Sequence, residues 1–237
     1  MDQRQAQVVA DEWAVTPSQL SPRESTFLHL ASMGAPSAAL VRRLLELLPA
    51  DAFEHTPSMG VGLPLHLACC VELADSRYTR MPLEAFTLLA RANPEAVGAV
   101  GECQHDTPLF AAALLYPERV PVLLEVNPGA AAVATDRYHL PFEDGYRFRG
   151  MLPLHAACAS GNEAAIRALL EAYPQGASTA SATGLLPHHC AARSGRVGAL
   201  RQLVAAYPEG LHQEDDDGLL PIDATDIRTV EVATAVW

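Results

Sequence analysis

Aromatic residues are scarce in this chain, at 6% of 237 positions. Sandwiches and barrels draw heavily on aromatic and β-branched side chains. Alanine and leucine dominate the apolar fraction instead, which suits slim, closely stacked helices. Basic residues are also few: 16 Lys and Arg stand against 28 Asp and Glu, for a net charge of −12. Nucleic acids and anionic bilayers both select basic stripes, so neither is expected as a partner. No apolar run approaches the length of about 18 residues that a spanning helix needs, so no membrane segment is expected. The stretch from Met1 to Gln7 lacks the apolar block of a secretory signal. The five cysteines, Cys69, Cys70, Cys103, Cys158 and Cys190, are odd in number and show no paired zinc spacing. Reduced thiols in the cytoplasm or nucleus are the expectation.

Catalytic signatures are missing as well. Gly60 and Gly62 form a Gly-x-Gly without the third glycine or the supporting strand of a phosphate loop. No Gly-x-Ser-x-Gly elbow occurs. Paired carboxylates fall only in loops, at Glu143 and Asp144 and from Glu214 to Asp217. The run from Gln213 to Gly218 reads as a solvated acidic turn. His188, His189 and Cys190 are adjacent, so on a helix they point about 100° apart and do not converge on one ion. His66 with Cys69 or Cys70, and His155 with Cys158, have helical spacing, but they sit at repeated positions, as a structural column would. A thiol- or metal-dependent enzyme on a helical scaffold is therefore the weaker alternative. No catalytic residue, cofactor or metal ligand is assigned.

What the sequence does have is a period. Leu152-Pro153-Leu154-His155 returns 34 residues later as Leu186-Pro187-His188-His189, and Leu220-Pro221 follows after another 34. A period in the range of about 20–50 residues marks stacked supersecondary units. Proline at a first helical position is pre-organised and has no N–H to leave unpaired. Small residues follow, and Gly161 and Gly195 end the first helix. Ile166, Leu169 and Leu170, and then Leu200, Leu203 and Val204, give i, i+3, i+4 faces for a second helix. The pairs Tyr173-Pro174 and Tyr207-Pro208 stop it, and an extended link to the next copy is predicted. One such pair cannot bury its apolar face alone, so copies must stack.

This pattern resembles the ankyrin repeat, whose signature is Thr-Pro-Leu-His-x-Ala. The resemblance rests on Leu63 to His66, Leu152 to His155, Leu186 to His189, Thr107 to Phe110 and Thr26 to His29. It covers roughly residues 24–226. It implies an all-α ankyrin-repeat solenoid of about five full repeats plus a partial C-terminal cap. It also implies that His29, His66, His155 and His189 bond the backbone of a neighbouring repeat. Leucine replaces the usual threonine at Leu63, Leu152, Leu186 and Leu220. The lost hydroxyl cap would cost about 1 kcal/mol per copy unless something replaces it. Tyr-Pro or Asn-Pro stands where the family has Gly-Ala.

Along the chain, residues 1–21 form an N-terminal extension that caps the first repeat or serves as a partner-binding tail. The ankyrin repeat domain is expected over 22–237. In the first repeat Leu40, Val41, Leu44, Leu45 and Leu48 supply the second helix, and in the second repeat Phe86, Leu88 and Leu89 do. An insertion near 71–81 is expected in the turn between the two helices of the second repeat. Pro117 and Pro121 open the second helix of the third. A further insertion near 136–149 falls in the link that the family uses as a projecting finger. Asp223 replaces the motif histidine in the last, partial copy, and the tail to Trp237 reads as a closing cap.

The 136–149 insertion carries Tyr138, Phe142, Tyr146 and Phe148 with Arg137, Arg147 and Arg149, in a chain poor in both types. Tyr and Arg are enriched at binding hot spots. These residues either contact a partner or pin a long loop to the array, and both roles are compatible. Arg77, Tyr78 and Arg80 in the first insertion are second candidates. The function expected is a protein-protein interaction module or scaffold, acting as a monomer and binding an acidic or mixed patch on its partner.

Overall fold

The computed structural model describes residues 27–32, 35–47, 49, 52, 62–70, 81–101, 107–135 and 149–223. The described residues are mostly helical, and no strand occurs among them. The chain divides into two compact units, Met1–Ala96 with Gly101–Cys103 and Val97–Val100 with Gln104–Trp237.

In the first unit, α1 spans Phe27–Ser32, α2 Ala38–Leu47, α3 Pro64–Cys70 and α4 Leu83–Ala92. The helix α1 packs on α3, and α2 packs on α4. Leu40, Val41 and Leu44 are the buried stripe of α2, and Ala85, Phe86, Leu89 and Ala90 that of α4. These spacings close one helical face, which is why the two second helices meet. Leu45 and Leu88, which share the predicted faces, are only half-buried. Buried Asn93 ties the layer to the preceding copy. Its Nδ2 donates to the Ala52 carbonyl at 3.0 Å, and its Oδ1 accepts from Ala96 N–H at 3.2 Å. Between α3 and α4 stand residues 71–82, whereas only Gly161 and Asn162 separate the corresponding helices of the fourth copy.

In the second unit, α5 spans Pro108–Leu115, α6 Val120–Val126, α7 Pro153–Ser160, α8 Glu163–Ala172, α9 Pro187–Arg193 and α10 Val197–Ala206. The helix α7 lies between α5 and α9, and α8 lies between α6 and α10, giving two helical layers. First helices are buried nearly all round. In α7, every residue from Pro153 to Cys158 is buried. The helix α7 is covered by a copy on either side and by the second layer, so it carries no polar face. The second helices keep an outer face and bury Ala165, Ile166 and Leu169, or Ala199, Leu200 and Leu203. Gly161 ends α7 in the left-handed region, at φ 77°. Ser194 caps α9, so Gly195 stands one residue beyond the predicted stop.

Two expectations are corrected. The link after each second helix is not simply extended. Tyr173 leaves the helical region (φ −145°, ψ 82°), and Pro174–Ser178 then winds into a 3-10 helix. The same happens at Pro128–Ala132 after Asn127 and at Pro208–His212 after Tyr207. Proline pushes its predecessor out of the helix, but its own locked φ suits the first position of a new turn. The second correction concerns Pro117. It opens a 3-10 turn, Pro117–Arg119, and α6 begins only at Val120 with Pro121 in its first turn.

Candidate functional site

Helix starts in this chain are capped from the third residue inward. The His155 Nδ1 accepts from Leu152 N–H at 3.0 Å, and the His189 Nδ1 accepts from Leu186 N–H at 3.0 Å. His66 does the same for Leu63 at 3.2 Å. At each of these starts the histidine N–H, which a threonine hydroxyl would otherwise accept, bonds the leucine carbonyl at 2.9–3.0 Å. The leucine copies therefore leave no orphan donor at this position, and the expected capping deficit does not arise. Thr107 shows the alternative, with its Oγ1 accepting from Phe110 N–H at 3.1 Å.

The far side of the ring links the copies. His155 Nε2 donates to the Leu185 carbonyl at 3.0 Å, and His189 Nε2 donates to that of Leu219 at 3.1 Å. An acceptor at Nδ1 and a donor at Nε2 fix the neutral tautomer. Burial pushes the His155 pKa down to about 4 and lowers that of His189. These rings are structural ties that stay uncharged at neutral pH. Asp223 supplies only the capping half: its Oδ2 accepts from Leu220 N–H at 3.1 Å, and a carboxylate has no donor for a further copy.

Those inter-copy bonds hold a row of hairpin fingers. In one finger Ser181 N–H donates to Leu185 O at 2.9 Å, and Gly184 N–H donates to Ser181 O at 3.1 Å. In the next finger the same pair joins Asp215 to Leu219 and Gly218 to Asp215, both at 2.9 Å. A side-chain acceptor rigidifies each tip. Ser181 Oγ takes the N–H of Thr183 and Leu185, and Asp215 Oδ1 takes those of Asp217 and Leu219. The acidic turn is thus only partly a solvated loop. Glu214, Asp216 and Asp217 are exposed, but Asp215 is buried and organises the turn.

The preceding finger has the same neck. Thr135 N–H donates to Met151 O at 2.8 Å, and Gly150 N–H donates to Thr135 O at 2.7 Å. Where Ala182 and Thr183 complete an ordinary tip, residues 136–149 stand between Thr135 and Gly150. Neighbouring fingers are bonded edge to edge, Ala182 N–H to Arg149 O at 2.9 Å and Asp216 N–H to Thr183 O at 3.3 Å. A Cβ on Gly150 would come within 2.7 Å of Ala182 N, and one on Gly184 within 2.7 Å of Asp216 N. This close backbone approach is what the glycines permit.

Of the predicted contact residues, Arg149 is described: it is exposed in the turn with Gly150, and its carbonyl is taken by Ala182. Arg137, Tyr138, Phe142, Tyr146, Arg147 and Phe148 lie outside the described residues, as do Arg77, Tyr78 and Arg80. The leader 1–21 and the tail 224–237 also lie outside them, as does the side chain of His29.

Two features escaped the sequence reading. Arg119 is buried, with its guanidinium 4.7 Å from the centre of the Tyr116 ring. The signal was present in the sequence, since Tyr116 to Arg119 replaces the short Gly-Asn turn of the fourth copy. The second is His188, which occupies the place of Leu154 and is fully buried. Its Nε2 donates to the Tyr207 carbonyl at 3.0 Å, and Nδ1 has no hydrogen-bond partner.

Burial raises the Cys158 thiol pKa and pushes that of Cys190 up to about 12, far from the range of a reactive thiolate. Among the described residues no group of three or more His, Cys, Asp or Glu is placed to hold a metal ion. No helix among them is long and apolar enough to cross a membrane.

The family model described as ankyrin repeat matches residues 149–178, from the Arg149 turn through α7 and α8 to the end of the following 3-10 helix. The chain carries an ankyrin repeat at that place. No curated protein matches the chain.

Proposed function

We propose that this chain binds another protein through its repeat surface and projecting loops, as ankyrin repeats do. In this reading residues 22–237 form one ankyrin solenoid of about five full repeats with a partial C-terminal cap, preceded by the extension 1–21. The insertions near 71–81 and 136–149 carry the contacts. Arg137, Tyr138, Phe142, Tyr146, Arg147, Phe148 and Arg149 form the main site, and Arg77, Tyr78 and Arg80 a second. The protein works as a monomer in the cytoplasm or nucleus, on a partner patch that is acidic or mixed, without nucleic acid or cofactor.

One observation supports this most. The finger neck at Thr135, Gly150 and Met151 is bonded like its neighbours, although residues 136–149 stand where two suffice elsewhere. Folding needs only the neck and a short tip. The additional Tyr and Arg residues are thus surplus to the repeat, and side chains of these types concentrate binding energy. Substituting Tyr146→Ala with Arg147→Ala tests the site. Capture of the partner should weaken at least tenfold with the unfolding midpoint unchanged. Capture at full strength would move the site to the helix surface or to Arg77, Tyr78 and Arg80.

A further inference from the structure

The first helices of the other copies place leucine where α9 has His188: Leu65, Leu109 and Leu154. All three leucines are buried. Opposite that position, two residues after the proline of each 3-10 helix, stand Ala96, Ala130, Gly176 and Gly210. The largest polar ring therefore faces a glycine. A Cβ on Gly210 would come within 2.4–2.8 Å of three His188 ring atoms. Tyr207 closes another side, edge-on to the imidazole with centroids 6.1 Å apart. The ring is enclosed, holds one hydrogen bond to the Tyr207 carbonyl, and keeps a buried Nδ1 with no partner.

We propose that His188 is a proton-sensitive latch: neutral, it holds α10 and the turn Pro208–His212 against α9, and protonation at Nδ1 releases them. A proton on Nδ1 creates a buried charged donor, and the Leu203 carbonyl near the ring already accepts Tyr207 N–H at 2.7 Å, so the state is costly without water or a counter-charge. Lifting α10 away exposes Nδ1 to water and removes that cost. No counter-charge on the surrounding elements offsets it. The helix α7 offers His155 and Cys158, both buried and held neutral. The turn Pro174–Ser178 has no ionisable side chain. On α9 itself stand His189, Cys190 and Arg193, and the nearby His189 disfavours a further positive charge. Arg201 on α10, with Glu209 and His212 in the turn, is exposed, and Tyr207 contributes its carbonyl and ring. Asp215 is engaged by Asp217 and Leu219 N–H.

Burial, the largest cause, pulls the His188 pKa down to about 4. The released ring returns to its ordinary value, so opening becomes about 30-fold more favourable at pH 5 than at pH 7.5. Amide exchange at Tyr207 and Gly210 reads that opening, since these N–H groups bond Leu203 and Tyr207 carbonyls. Corrected for intrinsic rates, their protection should drop about 30-fold between the two pH values. Protection at Tyr116, which caps the end of α5 and bonds the Ala112 carbonyl, serves as the reference. The variant His188→Leu, and His188→Leu with Gly210→Ala, should hold protection within about threefold. The double variant restores the leucine and alanine pair of the second and third copies, which safeguards folding. A flat profile in the unmodified chain would overturn the latch. So would an undiminished drop in the double variant, which would assign the effect to another group.

Discussion

At the scale of single residues, the motif histidines do two jobs that leucine or alanine cannot share. His155 accepts one backbone N–H within its own copy and donates to a carbonyl 30 residues on. His155→Ala loses both bonds in a fully buried place, and equilibrium urea unfolding should show a loss of about 2–4 kcal/mol. The same ring makes the fold acid-sensitive. Its folded pKa of about 4 lies below the ordinary 6.5. The unfolded chain therefore takes up the proton first. Stability is complete above pH 6.5 and falls as pH drops towards 4, by on the order of 3 kcal/mol for this shift. Unfolding midpoints measured from pH 7.5 to 4 should decline over that window in the unmodified chain, and a profile level to pH 4 would contradict the assignment. Leucine at the helix starts is not a defect, because the histidine N–H it leaves is bonded to the leucine carbonyl. Leu152→Thr would supply the usual family hydroxyl but give up a buried apolar side chain. Burial outweighs the cap, so the variant should lose about 1 kcal/mol rather than gain.

At the scale of elements, the finger row separates backbone strain from packing. Gly184 and Gly218 share one conformation, φ 73° and 76°. A Cβ at Gly218 meets nothing, whereas one at Gly184 meets the Asp216 backbone and carboxylate at 2.7 Å. Gly218→Ala should cost only the left-handed penalty, about 1–2 kcal/mol. Gly184→Ala should cost roughly 2 kcal/mol more, since the next finger must also shift. Equal losses in thermal unfolding would mean that the fingers do not brace one another. Element identity was legible in the sequence because Pro153 and Pro187 mark helix starts and Ile166 and Leu200 set the period. The 3-10 helices were not legible. Tyr173 and Tyr207 are helix stops, as the sequence predicts, but the proline that stops one helix begins the next turn. Asp215 was hidden in its acidic run, since only the register with Ser181 distinguishes it from exposed Asp216. Buried Arg119 and His188 were invisible to hydropathy, which treats both as surface residues.

At the scale of the molecule, the proposed function assigns stability and recognition to different parts of the chain. Among the described residues, neighbouring copies are tied by backbone and histidine bonds at helix starts and fingers, by Asn93 Nδ2 donating to the Ala52 carbonyl and by Ser160 Oγ donating to that of Ala113. Residues 136–149 are additional to the two-residue tip of the next finger, and their composition is what nominates Tyr146 and Arg147. The neck also shows how to remove them. Replacing residues 136–149 with an Ala-Thr pair rebuilds the tip found between Ser181 and Gly184. The most direct test compares this shortened chain with the original in quantitative partner capture, with thermal unfolding alongside. The account predicts that the partner is lost or weakened at least tenfold while the unfolding midpoint stays within about 3 °C. Undiminished capture by the shortened, folded chain would contradict it.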